Sequence, residues 1–123
     1  MFDVQRSTLN PQLPSVTLLQ QMDAQRQAAN ERLRLQTRRK LDEALEEFLA
    51  GQQAIVFGSV VKPGCFSEAS DVDLALVTEP SGMSVYLLTS MLAERLGRPV
   101  DVLLLAECRF REKILREGER WTS

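Results

Sequence analysis

The chain has 123 residues, 44% hydrophobic and 26% charged, with 15 basic against 17 acidic residues for a net charge of −2. That is the length of one domain with enough apolar material for a core, and it lacks the global basic field of a nucleic-acid coat. Histidine is absent, which excludes Ser-His-Asp and Cys-His catalysis and any zinc site needing imidazole, so carboxylates must carry whatever chemistry there is.

Residues 1–14 read as a loose arm, because Pro11 and Pro14 are unfit for a helix interior and no periodicity runs through them. The opening MFDVQRSTLNPQ has neither the basic nor the apolar region of a signal peptide. Ser15 is a candidate N-cap. From Val16 to Ala50 no Pro or Gly interrupts a run of good helix formers, and Gly51 supplies the stop. Leu41, Ala44, Leu45, Phe48 and Leu49 form a core-facing stripe. Residues 20–40, within a helical extension set at 15–40, are different. They are rich in Gln and Arg, with Arg26, Arg32, Arg34, Arg38, Arg39 and Lys40 against Asp23 and Glu31. One helix of ~35 residues would be about 50 Å long, more than a compact domain of this size spans. It must break near residues 35–40 or project as an extension able to dock a partner.

The period then switches. Ala54–Phe57 and Val72–Val77 read as strands. Val85, Leu88, Met91, Leu92 and Leu96 share one helical face, closed by Gly97 and Pro99. Val100–Leu105 reads as a third strand and residues 107–117 as a charged, solvated last helix, opened by Cys108 and ended by Gly118. Trp121 lies beyond it. The order α-β-β-α-β-α implies an α/β (α+β) sandwich, a small mixed sheet with flanking helices. No apolar run reaches the ~18 residues of a membrane span. Cys65 and Cys108 make no disulfide framework, which fits a reduced, cytoplasmic protein.

Three features point to chemistry. Gly58-Ser59 follows the first strand, Asp71 and Asp73 flank Val72 at the start of the second, and Asp101 stands at the start of the third. Residues i and i+2 of a strand face the same way, about 6.5–7 Å apart. Two carboxylates so placed suit Mg²⁺, a hard ion that keeps part of its water. If the second and third strands are neighbours, Asp101 joins them. Carboxylates crowded on one patch repel one another unless cations are bound, and a two-metal site with ions about 3.5–4 Å apart is the usual reason to build one. Three of the six aspartates fall at these positions, although Asp is disfavoured in strands. Gly58 permits close ligand approach. The turn's N–H groups and the Ser59 hydroxyl can hold phosphate oxygens, and Lys62 adds a positive charge.

GSVVKPGCFSEASDVDLALV resembles the signature of the DNA polymerase beta-like nucleotidyltransferases, and more narrowly that of minimal nucleotidyltransferase domains. The resemblance spans roughly Leu41 to Gly118, within a domain set at 41–123. It implies that Gly58, Ser59 and Lys62 bind the phosphates of a nucleoside triphosphate, suggested to be ATP. It also implies that Asp71, Asp73 and Asp101 are the catalytic, Mg²⁺-binding carboxylates. The spacer Val60–Ser70 is one residue longer than the usual pattern. Lys62, followed by Pro63, stands where the family often has Arg, and Lys makes no bidentate phosphate contact. The chain ends at Ser123, soon after the last helix, so a partner is expected to complete the acceptor site. Free-standing minimal domains of this kind are commonly paired with a HEPN-domain ribonuclease toxin. The resemblance therefore implies an antitoxin that transfers AMP to a toxin tyrosine. A non-catalytic binding antitoxin and an aminoglycoside-type small-molecule transferase are the alternatives. The charge balance disfavours nucleic acid as acceptor.

Overall fold

The computed structural model describes residues 12–122, with residues 12–16 described by their backbone alone. Helix α1 runs unbroken over Gln12–Phe48. The expected start at Ser15 is corrected: residues 12–14, assigned to the arm, already belong to the helix, while residues 1–11 lie outside the described chain. Pro14 is tolerated because it sits in the first turn, where backbone N–H groups have no helical partner anyway. The helix does not break near residues 35–40. At 1.5 Å per residue it is about 55 Å long, and residues 17–29 are exposed all round. Only the second half of α1 packs on the body, through Leu41, Ala44 and Leu45, with Leu49 buried just past its end.

The sheet has four strands in the order β3-β2-β1-β4. β1 is Gln53–Phe57, β2 Val72–Leu76, β3 Val100–Leu104 and β4 Glu119–Thr122. β1 pairs antiparallel with β2 and β4, and β2 pairs parallel with β3. Helix α2, Val85–Leu96, makes the crossover that a parallel pair requires. Ser84 Oγ accepts from Leu87 N–H at its start, and Gly97 ends it in the left-handed region at φ 70°.

Strand alternation divides the core in two. Val72, Leu74, Leu76, Ala54 and Val56 face α1 and α2, where Leu41, Leu45, Leu88 and Leu92 close the larger core. Each such fully buried side chain contributes about 1.5–3 kcal/mol. Ile55, Ala75, Leu105 and Ile114 form a smaller cluster on the other face. That face is covered only in part, by α3 (Arg111–Glu117).

Three further expectations change. The last helix is shorter than residues 107–117: Leu105–Glu107 is a 3-10 turn, and α3 begins at Arg111. β2 and β3 end one residue early, at Leu76 and Leu104. The fourth strand was not expected, and it places Trp121 opposite Ala54 and inside the larger core. Both cysteines are free. No helix among the described residues is long and apolar enough to cross a membrane.

Candidate functional site

The thinly covered face of the sheet carries the carboxylates. Asp73 lies opposite Phe57 on β1 and in register with Asp101 on β3. Asp71 immediately precedes β2 and is exposed, as is Asp101, while Asp73 is half-buried. The Asp73 carboxyl is pushed above the ordinary carboxylate range, first by burial and then by the negative charges of Asp101 and Asp71. The three acidic groups therefore act on one another.

β1 delivers Gly58 against this cluster. Gly58 has φ 83° and ψ −158°, a region open essentially to glycine alone. A Cβ there would collide with Asp73 Oδ2. The chain then turns through a 3-10 segment, Ser59–Val61, in which Lys62 N–H donates to Ser59 O at 3.1 Å. Ser59, which follows Gly58, is half-buried.

Two arginines that the sequence did not point to as part of the site hold the flanking loops. Arg34 of α1 donates to Val60 O at 3.1 Å and pairs with Glu31 at 2.6 Å, which ties the helix to the Gly58-Ser59 turn. Arg98 donates to Ser70 O at 2.8 Å and Ser67 O at 3.3 Å, and its guanidinium lies 4.7 Å from the Phe66 ring centre. The chain is thus fixed immediately before Asp71. Both contacts join residues far apart in sequence, so no local pattern announces them.

A cleft of about 330 Å³ opens between this edge of the sheet and α3, bounded by Gly58, Asp73, Lys62, Lys113, Phe110 and Glu117. The charged residues of α3 are exposed, as expected of a solvated face, and Lys113 and Glu117 among them also form one wall of the cleft. Lys62 Nζ lies 3.4 Å from Glu117 Oε1 across the cleft. The signal that could have found Lys113 is its placement one turn before Glu117 on the helix that covers the site.

Among the described residues, no group of three or more acidic or thiol side chains is arranged to hold an ion alone. Mg²⁺ does not need that, since it is normally held by one or two carboxylates with phosphate and water supplying the rest. Burial, and then the charges of Asp101 and Asp71, disfavour the Asp73 anion, which a cation there would stabilise. The residues fit a magnesium–nucleotide complex, whose metal Asp71 and Asp73 would hold and whose phosphates the turn at Gly58-Ser59 would meet.

No curated protein matches the chain. The crystal structure of a toxin–antitoxin with AMP-PNP is similar in fold, with a TM-score of 0.54 and 22% identity over 69% of this chain and 73% of that one. Residues 39–122 match the family described as polymerase beta, nucleotidyltransferase. Since that match covers more than half of the chain and takes in the whole sheet, the Gly58-Ser59 turn and the three aspartates, the chain belongs to the polymerase beta nucleotidyltransferase family.

Proposed function

We propose that this chain is an antitoxin that transfers AMP from ATP to a hydroxyl of a HEPN-type ribonuclease toxin and so silences it. The observation that carries the reading is the register of Asp73 and Asp101 beside Asp71, with Gly58 closed against Asp73. The fold shared with a toxin–antitoxin structure holding AMP-PNP, an ATP analogue, supports the choice of nucleotide and of partner.

Each residue has a task in this reading. Asp71 and Asp73 would hold Mg²⁺, which when bound offsets charge on the triphosphate and favours ionisation of the acceptor hydroxyl. The turn at Gly58-Ser59 and the Lys62 ammonium bind and orient the phosphates. Asp101 takes the acceptor's proton. The acceptor oxygen bonds to the α-phosphorus, the bond from that phosphorus to the bridging oxygen breaks, and pyrophosphate leaves.

A second reading has the antitoxin act by binding alone. The projecting half of α1, with Leu18, Leu19 and Met22 exposed, favours it. Intact-mass spectrometry of a purified HEPN toxin, incubated with the protein, ATP and Mg²⁺, separates the two. A gain of whole AMP units with wild type and none with Asp71→Asn/Asp73→Asn supports transfer. A stable complex with both forms and no gain overturns transfer in favour of binding.

A further inference from the structure

β3 is the outer strand of the described sheet, with β2 on one side only. Val72 N–H donates to Pro99 O at 3.1 Å. Successive residues of a strand turn their main-chain groups to alternate sides. Pro99, Asp101 and Leu103 therefore bond towards β2, and Val100, Val102 and Leu104 direct theirs to the open side. A groove of about 570 Å³ borders this strand. Its walls include Glu79, Tyr86 and Glu107, and it shares Leu103 and Cys108 with the cleft beside Asp73.

We propose that the open edge of β3 is the acceptor subsite, where an extended segment of a protein substrate adds as a strand and presents its hydroxyl side chain. The segment carries basic residues beside that hydroxyl. This rests on the nucleotidyl-transfer reading above. A row of free N–H and C=O groups is matched by another polypeptide main chain, a recurrent mode of peptide capture. Glu79 and Glu107 set the sign of the complementary charge. Register supplies the third argument. Neighbouring strands lie about 4.8 Å apart, so the added residue opposite Asp101 continues the row that Asp73 and Asp101 begin. Its hydroxyl then stands on the same face as both carboxylates. The hydroxyl oxygen bonds to the α-phosphorus, the bond to pyrophosphate breaks, and the proton passes to Asp101.

The test uses the full chain with Mg²⁺, a non-hydrolysable ATP analogue and the HEPN toxin for amide exchange, and ATP for kinetics. Val102→Pro removes an outward N–H from an edge strand, where proline is tolerated. Glu79→Lys/Glu107→Lys reverses the charge without touching the backbone. The expected results are slowed exchange at Val102 and Leu104 on adding toxin, and a rise of about tenfold in KM for the toxin with either variant, with KM for ATP changed less than about twofold. Unchanged KM for the toxin in the charge-reversed variant, while wild type still transfers AMP, overturns the subsite and leaves the transfer reading intact. Absence of transfer by wild type overturns both. Slow exchange at Val102 before toxin is added means that a second copy or residues 1–11 hold the edge, and overturns the proposal. Slowing by a single-stranded RNA in place of toxin also overturns it.

Discussion

Asp73 and Asp101 stand side by side on parallel neighbours, paired residue to residue. Burial first, and then the charges of Asp101 and Asp71, raise the Asp73 carboxyl from its ordinary value of 3.8. The folded state thus binds this proton more tightly than the unfolded chain does. The group's contribution to stability is complete below its ordinary value and is lost as pH rises through its raised folded value. Thermal melts of the metal-free protein should show this loss, and Asp73→Asn should reduce it and raise Tm at neutral pH. Mg²⁺ with ATP at about 100 times Kd should stabilise wild type by about 2.7 kcal/mol and the variant far less. A lower neutral-pH Tm for Asp73→Asn would show that the cluster is not under electrostatic stress.

Gly58 is required twice over, by its backbone and by its neighbour. An alanine there takes a conformation that costs about 1–3 kcal/mol, and its Cβ meets Asp73 Oδ2. Gly58→Ala should lose stability in that range and weaken ATP binding. If the collision contributes, Gly58→Ala/Asp73→Ala should be more stable than the two single losses sum to, because residues in contact do not add. A purely additive double variant would assign the whole cost to φ and ψ.

Arg98 holds the loop before Asp71 by two carbonyl contacts and by the Phe66 ring. Arg98→Ala should cost about 1–3 kcal/mol, speed amide exchange over residues 67–71, and raise KM for ATP through misplaced Asp71. Arg98→Lys should restore only part of this: a single nitrogen, Nη1, makes both carbonyl contacts, but an ammonium has no planar group to lie on the Phe66 ring. Full rescue by Lys would reduce the role of Arg98 to its charge.

How far the sequence reaches is visible in the site itself. Asp71 and Asp73 were legible because alternation is a local property of one strand, and the Gly58-Ser59 turn because it ends another. Helix α2 was legible from its apolar face, of which Leu88, Leu92 and Leu96 are buried and Val85 and Met91 half-buried, and from Gly97 at its close. The neighbourhood of Asp101 depends on a parallel pairing made across a helix, so the sequence offered it only as a condition. Arg34 and Arg98 act over comparable distances. β4 escaped for a related reason. In Glu119–Thr122 only Trp121 is buried, so no alternation is evident, and the strand exists because β1 offers it an edge.

That dependence makes Trp121 a sensitive position. It is 7% exposed within the larger core, and its neighbours on β4 contribute little burial of their own. Trp121→Ala should cost about 3–5 kcal/mol, measured by urea unfolding. Amide exchange should rise first along β4 and next on the Gln53–Val56 edge that it covers. A loss below about 1 kcal/mol would mean that β4 is held by its main chain rather than by its indole.

Lys62 and Glu117 close the mouth of the cleft at 3.4 Å, both well exposed to water. An ion pair in that setting is worth about 0–1 kcal/mol, so Glu117→Gln should leave stability almost unchanged. Its effect should fall on the nucleotide. Removing the carboxylate frees the ammonium for phosphate oxygens and takes a negative charge away from a site that already carries Asp71, Asp73 and Asp101. KM for ATP should therefore fall by about two- to fivefold at low salt, with less change at high salt, where exposed charges are screened. Lys62→Ala should move KM the other way. A rise in KM with Glu117→Gln would mean that Glu117 positions Lys62 for phosphate rather than competing for it. Glu117→Asp, which keeps the charge and shortens the reach, would then be impaired as well.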